Sequence, residues 1–133
     1  MSEAQKALVR QYYAEAMGDL SGIERVVGPD FVDHHFPPGV PRGPAGVRQF
    51  FRKILGSIFS DMKIEHEFML AEGDKVDCHF ALIARHTGEF AGIAPKGNRI
   101  RCPAVSTFRI EGGKLVEAWE IYDSGSLLEQ MRA

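Results

Sequence analysis

Asp123 closes the run LVEAWEIYD, residues 115–123, and shares its alternation phase with Leu115, Glu117, Trp119 and Ile121. Large apolar residues at one phase of a strand mark the face expected to turn inward. Two carboxylates are therefore expected among apolar neighbours. A carboxyl group deprived of water is harder to ionise, and one that ionises near neutrality is suited to moving a proton to or from carbon. Asp123 is the leading candidate for such a base. Its plainer role is to cap the helix that follows, but Ser126 and Glu129 already have capping-box spacing for that helix. Glu117 has a plain alternative as well, an ion pair with Arg109.

Other polar side chains interrupt apolar phases in the same way. His66 falls in phase with Met62, Ile64, Phe68 and Leu70. His86 follows Val76, Cys78, Phe80, Leu82 and Ala84, and Ser106 sits between Ala104 and Phe108. In VDHHF, alternation groups Val32, His34 and Phe36 on one side and Asp33 and His35 on the other. His34 is thus expected to face inward and His35 away. With Asp123 as base, His86, helped by His34 or Ser106, would polarise a carbonyl oxygen as the enolate forms. Trp119, Phe108, Phe80 and Phe68 would supply an apolar wall. His66 and Glu117 would contact substrate, and Asp33 is a second candidate base. Adjacent histidines on a strand point apart and no third ligand stands out by spacing, so no metal is expected.

The elements that must hold these groups are legible from periodicity. Apolar residues at helical spacing predict helices over 3–17 and 44–59, with a short helix from Ser21 to Val27 between them. Alternation then takes over from Met62. Four long strands follow, joined by the turn signals AEGDK and EGGK and by the glycine-rich segment 87–98. Segregated helices and strands point to an α+β fold, with three N-terminal helices on one face of a curved antiparallel sheet. A cone-shaped sheet of this kind leaves a pocket wherever side chains do not fill it. The 133 residues form one domain, 1–133, with no repeat or linker.

Composition excludes several functions. The formal net charge is -2 and no basic stripe is present, so nucleic acid is not an expected partner. No run approaches the roughly 18 apolar residues of a membrane span, and the charged N-terminus does not read as a signal peptide. Two cysteines, Cys78 and Cys102, are too few for a disulfide scaffold and read as reduced core residues. A cytoplasmic protein is expected.

The segments FVDHHFPPG, GPAGVRQFF, RHTGEFAGIAPKGNRI, FRIEGGKLVEAWEIYD and SLLEQM resemble the SnoaL-like polyketide cyclases, also called predicted ester cyclases, of the nuclear transport factor 2-like superfold. The resemblance runs from about Ala7 to Met131. It implies an α+β cone, commonly dimeric through the open sheet face, with a pocket beneath the helices. It also implies an intramolecular aldol reaction that closes the last ring of an aromatic polyketide, without cofactor or metal. Residue by residue, the family's late acid/base aspartate matches Asp123 and its pocket tryptophan matches Trp119. Its HTGEF histidine matches His86, and the histidine after VD matches His34. Relatives often place His or Asp where Ser106 stands, and a hydroxyl donates a hydrogen bond but carries no charge at pH 7. The expected function is acid/base chemistry beside the carbonyl of a small hydrophobic ligand, by aldol cyclisation or isomerisation. The alternative is a non-catalytic dimeric binding module for a small apolar molecule.

Overall fold

A computed structural model describes residues 2–133. Helix α1 spans Ser2–Met17, and its buried residues Val9, Tyr12, Tyr13 and Ala16 follow the three-four spacing of one helical face. A single 3₁₀ turn, Ile23–Arg25, leads into strand β1, Val27–Asp33. The second helical segment starts as α2, Gly43–Arg48, widens into a π-helix over Gln49–Ile54 and tightens into a 3₁₀ turn over Leu55–Ser57. Strands β2 (Phe59–Glu72), β3 (Lys75–His86), β4 (Arg99–Glu111) and β5 (Lys114–Tyr122) follow, and helix α3 covers Ser124–Arg132.

Two expectations about architecture are corrected. One N-terminal α-helix replaces the expected three: residues 21–27 hold only a 3₁₀ turn before entering the sheet, and the expected helix 44–59 is α-helical only over Gly43–Arg48 before it widens and tightens. The sheet is mixed, with strand order β1-β5-β4-β3-β2, and β1 runs parallel to β5. The other three pairings are antiparallel, as the hairpin turns require.

The inner face of the sheet packs on α1. Tyr12 is the hub: its ring lies 6.0 Å from those of Phe31 and Phe51 and 5.1 Å from that of Phe108. The contacts with Phe51 and Phe108 are edge-on, and each adds about 1 kcal/mol beyond the area it buries. A second apolar cluster gathers Ile58, Phe59, Ala84, Ile100, Cys102, Leu127 and Met131, so α3 closes the other end of the sheet. Cys78 and Cys102 are free and buried.

Three bulges decide which side chains reach the interior. On β5, Arg109 pairs with Glu117 but Ile110 pairs with Leu115, so Val116 is an extra residue. An inserted residue reverses the alternation beyond it. Leu115 is fully buried, and after the bulge Ala118 is the next fully buried residue. Glu120 and Tyr122 continue inward, while Trp119 and Ile121 are 37% and 80% exposed on the outer face. On β2 the register slips between Ser60 and Lys63 and again between His66 and Phe68. The second slip turns Phe68 outward to stack on His79 at 4.1 Å.

No helix among the described residues is long and apolar enough to cross a membrane.

Candidate active site

A cavity of about 270 Å³ opens between the inner face of the sheet, the C-terminal half of α1 and the α2–π segment. Its wall is aromatic and aliphatic. Tyr12, Tyr13, Phe36, Phe50, Phe51, Phe80 and Tyr122 face it, with Ile54, Leu82 and Leu127 among the aliphatic residues. The π-helix explains how Phe50 and Phe51, neighbours in sequence, both line it: a wider turn brings consecutive side chains toward one side. At Gly88 the 87–98 segment docks on Ser57 and Ile58. A Cβ there would lie 1.7 Å from the Ser57 carbonyl oxygen, so only glycine lets residue 88 approach and donate its N–H to Ile58 O at 2.9 Å. That joint holds the 87–98 segment in place and brings Phe90 to the cavity wall.

Asp33, His35 and Glu120, whose ordinary pKa values let them carry charge at or below neutral pH, interrupt this lining. Asp33 ends β1 and is 9% exposed. Its Oδ1 accepts from the His35 backbone N–H at 2.9 Å, an Asx-type turn that starts the loop after the strand. Burial pushes the Asp33 carboxyl up to about 6, and the charge of Glu120 adds to the rise. Burial alone pushes Glu120 up to about 7, against the opposing pull of a hydrogen bond from Ser106. His35 Nε2 lies 3.5 Å from Glu120 Oε2, and the ring sits edge-on to Phe50 and Tyr122. Burial lowers the His35 pKa, against the opposing charge of Asp33, and so favours the neutral imidazole.

A hydrogen-bonded line runs into Glu120 from behind. Tyr13 donates its hydroxyl to Ser106 Oγ at 3.0 Å, and Ser106 donates to Glu120 Oε1 at 2.9 Å. Ser106 and Glu120 are direct cross-strand partners on β4 and β5. Two carboxyl groups that ionise near neutrality, in one chamber otherwise apolar, can each exchange a proton with a bound molecule.

The sequence-predicted residues are placed as follows. Asp33 and Phe80 line the cavity. Ser106 is buried and touches it through Glu120. Asp123 does not line it: the residue is exposed and caps α3, with Oδ1 accepting from Ser126 N–H at 3.0 Å. Trp119 and Glu117 lie on the outer side, because the Val116 bulge reverses the phase of β5. Glu117 accepts from Arg109 Nε at 2.9 Å, the plain alternative, and lies 2.7 Å from His34 Nε2. His34 is exposed and stacks on Trp119 at 5.4 Å. The two histidines are reversed from expectation, since Phe31, buried at 1% exposure, sets the inward phase of β1 and carries Asp33 and His35 with it. Phe68 faces outward for the reason given above. His66 sits on the edge strand beside Tyr13 and Cys78, outside the cavity. Phe108 belongs to the packed core around Tyr12. His86 is fully buried beyond the cavity wall, and its ring nitrogens have no hydrogen-bond partner among the described residues. Its backbone instead pairs with Asn98 O and Gly97 N, anchoring the segment that covers it.

The family profile described as SnoaL-like polyketide cyclase matches residues 7–131. The chain belongs to that family. No curated protein sequence matches it. Among solved structures, the SnoaL-like chain is similar to AclR of Streptomyces galilaeus, provisionally described as a hydroxylase. The two are 31% identical over 99% of this chain and 97% of that one, with a TM-score of 0.78. It is also similar to wild-type IdmH of Streptomyces antibioticus, provisionally described as a polyketide cyclase, at 28% identity over 97% and 99% of the two chains and a TM-score of 0.78. TsrD of Streptomyces laurentii, at 23% identity and a TM-score of 0.85 over 98% and 96%, shares the fold.

Within this SnoaL-like cavity, Glu120, His35, Tyr13 and Tyr122 are the residues that sequence reasoning missed. The phase of Phe31 and the adjacent apolar pair Leu115-Val116, where strict alternation fails, are the signals that point to them.

Proposed function

We propose that the protein is a cofactor-independent enzyme that moves a proton beside the carbonyl of a small hydrophobic, polyketide-like molecule. Aldol ring closure is the first reaction to test and isomerisation the second. The observation that carries this reading is the placement of Glu120 and Asp33 in one apolar cavity, with carboxyls pushed up to about 7 and about 6. Between those values the pair holds one proton, so one carboxyl is an acid while the other is a base. Asp33, ionised in that window, takes the proton from the carbon next to the carbonyl. Glu120, still protonated there, gives its proton to the oxygen as the enolate forms, so the one negative charge passes from carboxyl to carboxyl and never rests on the substrate. The aromatic walls hold a flat unsaturated ligand by stacking and exclude water. Membership of the polyketide cyclase family and the likeness to IdmH support the substrate class.

Turnover on a panel of aromatic poly-β-ketones tests this. Glu120→Gln and Asp33→Asn are each expected to lower kcat by about 10²–10⁴-fold, the usual worth of a positioned acid or base. Unchanged turnover in Glu120→Gln would end the proposal. Tight ligand binding by the wild-type protein, with no turnover on any ketone, would favour the non-catalytic binding module.

A further inference from the structure

The line from Tyr13 through Ser106 to Glu120 has a direction. Ser106 has a single hydroxyl proton, and at 2.9 Å it is given to Glu120 Oε1. Its lone pair then has to accept, and the Tyr13 hydroxyl 3.0 Å away is the donor. Tyr13 is 3% exposed and Ser106 2%, so water does not compete at either hydroxyl. The Tyr13 ring is fixed by Phe80 at 5.0 Å and by Tyr12 at 5.2 Å, which leaves its hydroxyl one place to point. Oε1 is therefore occupied from behind, while Oε2 is on the side of His35.

We propose that Tyr13 and Ser106 are positioning residues: they commit Glu120 Oε1 as an acceptor and leave Oε2 as the single oxygen that exchanges the substrate's proton. This deepens the reading of Glu120 as acid/base and rests on it. The two carboxylate oxygens thereby become inequivalent. The oxygen that remains is held at a fixed angle to the cavity, and a near-attack geometry of this kind is where orientation accelerates a reaction. The titratable and polar groups around Glu120 are Asp33 and His35 from β1 and its loop, Tyr12 and Tyr13 from α1, Cys78 from β3, and Cys102 and Ser106 from β4. Among the described residues only Ser106 donates a hydrogen bond to the carboxylate. Ser106 therefore favours the charged form, which burial opposes.

The test is the pH profile of kcat in Ser106→Ala, Tyr13→Phe and Ser106→Thr, with the Glu120 carboxyl followed by carbon-13 NMR in the same proteins. In Ser106→Ala the Glu120 inflection is expected to move up by about one pH unit, the worth of one net hydrogen bond. At the pH optimum kcat is expected to fall about tenfold with KM changed by less than about twofold, since the lost contact orients the proton-exchanging carboxyl rather than binding substrate. Tyr13→Phe keeps the ring packing and is expected to give a smaller move in the same direction. Ser106→Thr restores the donor and with it the wild-type profile. An unmoved inflection in Tyr13→Phe and Ser106→Ala, or a raised KM with an unchanged kcat, would overturn the positioning role. Either result beside an inactive Glu120→Gln would leave the acid/base reading standing, whereas an active Glu120→Gln removes that reading itself.

Discussion

Asp123 and Glu120 are three residues apart on one chain, and their surroundings give them opposite chemistry. Asp123 stands exposed at the start of α3 with its carboxylate bonded to a backbone N–H. Glu120 lines a cavity and is pushed up to about 7 by burial. The same separation of roles holds for the adjacent histidines, His34 on the outer face and His35 inside. Replacing Asp123 with alanine removes a helix cap, which typically costs about 1 kcal/mol. Denaturant unfolding is expected to show that loss while turnover on an accepted ketone stays at the wild-type level. A loss of turnover in a folded Asp123→Ala protein would return the base to position 123.

The strands explain why these roles were hard to read. Period-two alternation recovered the inward faces of β3 and β4, where Cys78, Phe80, Cys102, Ser106 and Phe108 are buried as their phase requires. It failed on β5, because the extra residue Val116 reverses the phase and leaves the larger apolar side chains outside. The bulge is fixed by pairing with β4, and residue type hints at it only through the adjacent apolar pair Leu115-Val116, so by alternation Trp119 and Ile121 outweigh Ala118 and Glu120. Where β1 was concerned, Phe31 was the deciding residue, and the shorter run from Val32 to Phe36 pointed the other way. Outward Trp119 and Ile121 also raise the question of what covers them. Phe68, His79, Val105 and Ile121 are successive partners across β2 to β5 and form one row on the outer face. Phe68 and Leu70 are 44% and 61% exposed there. Apolar sheet faces of this kind mark association sites, and we propose a second copy of the chain as the cover. Light scattering after gel filtration is expected to give a dimer for the wild type and a monomer for Ile121→Lys. A monomeric wild type would remove the proposal without touching the cavity.

At the scale of the molecule, the sheet, α1 and the α2–π segment enclose a chamber, and keeping ionisable groups in it has an energetic consequence. The folded protein holds a proton on Glu120 up to about 7, whereas an unfolded chain releases it near the ordinary 4.5. Asp33 behaves likewise between 3.8 and about 6. The native state binds the extra protons in these windows, so stability is highest below them and falls as pH rises through them. For Glu120 the fall amounts to no more than about 3 kcal/mol. The α+β class is legible in the sequence because it follows from periodicity, but of the four aromatic residues expected in the apolar wall only Phe80 lines the cavity. The identity of the charged groups inside is not legible, because it depends on the strand register. A carbon-13 NMR titration of the Glu120 side-chain carboxyl measures that placement most directly. An inflection near 7 that shifts when an aromatic polyketone fills the cavity is the expected result; an inflection near 4.5, indifferent to ligand, would contradict it.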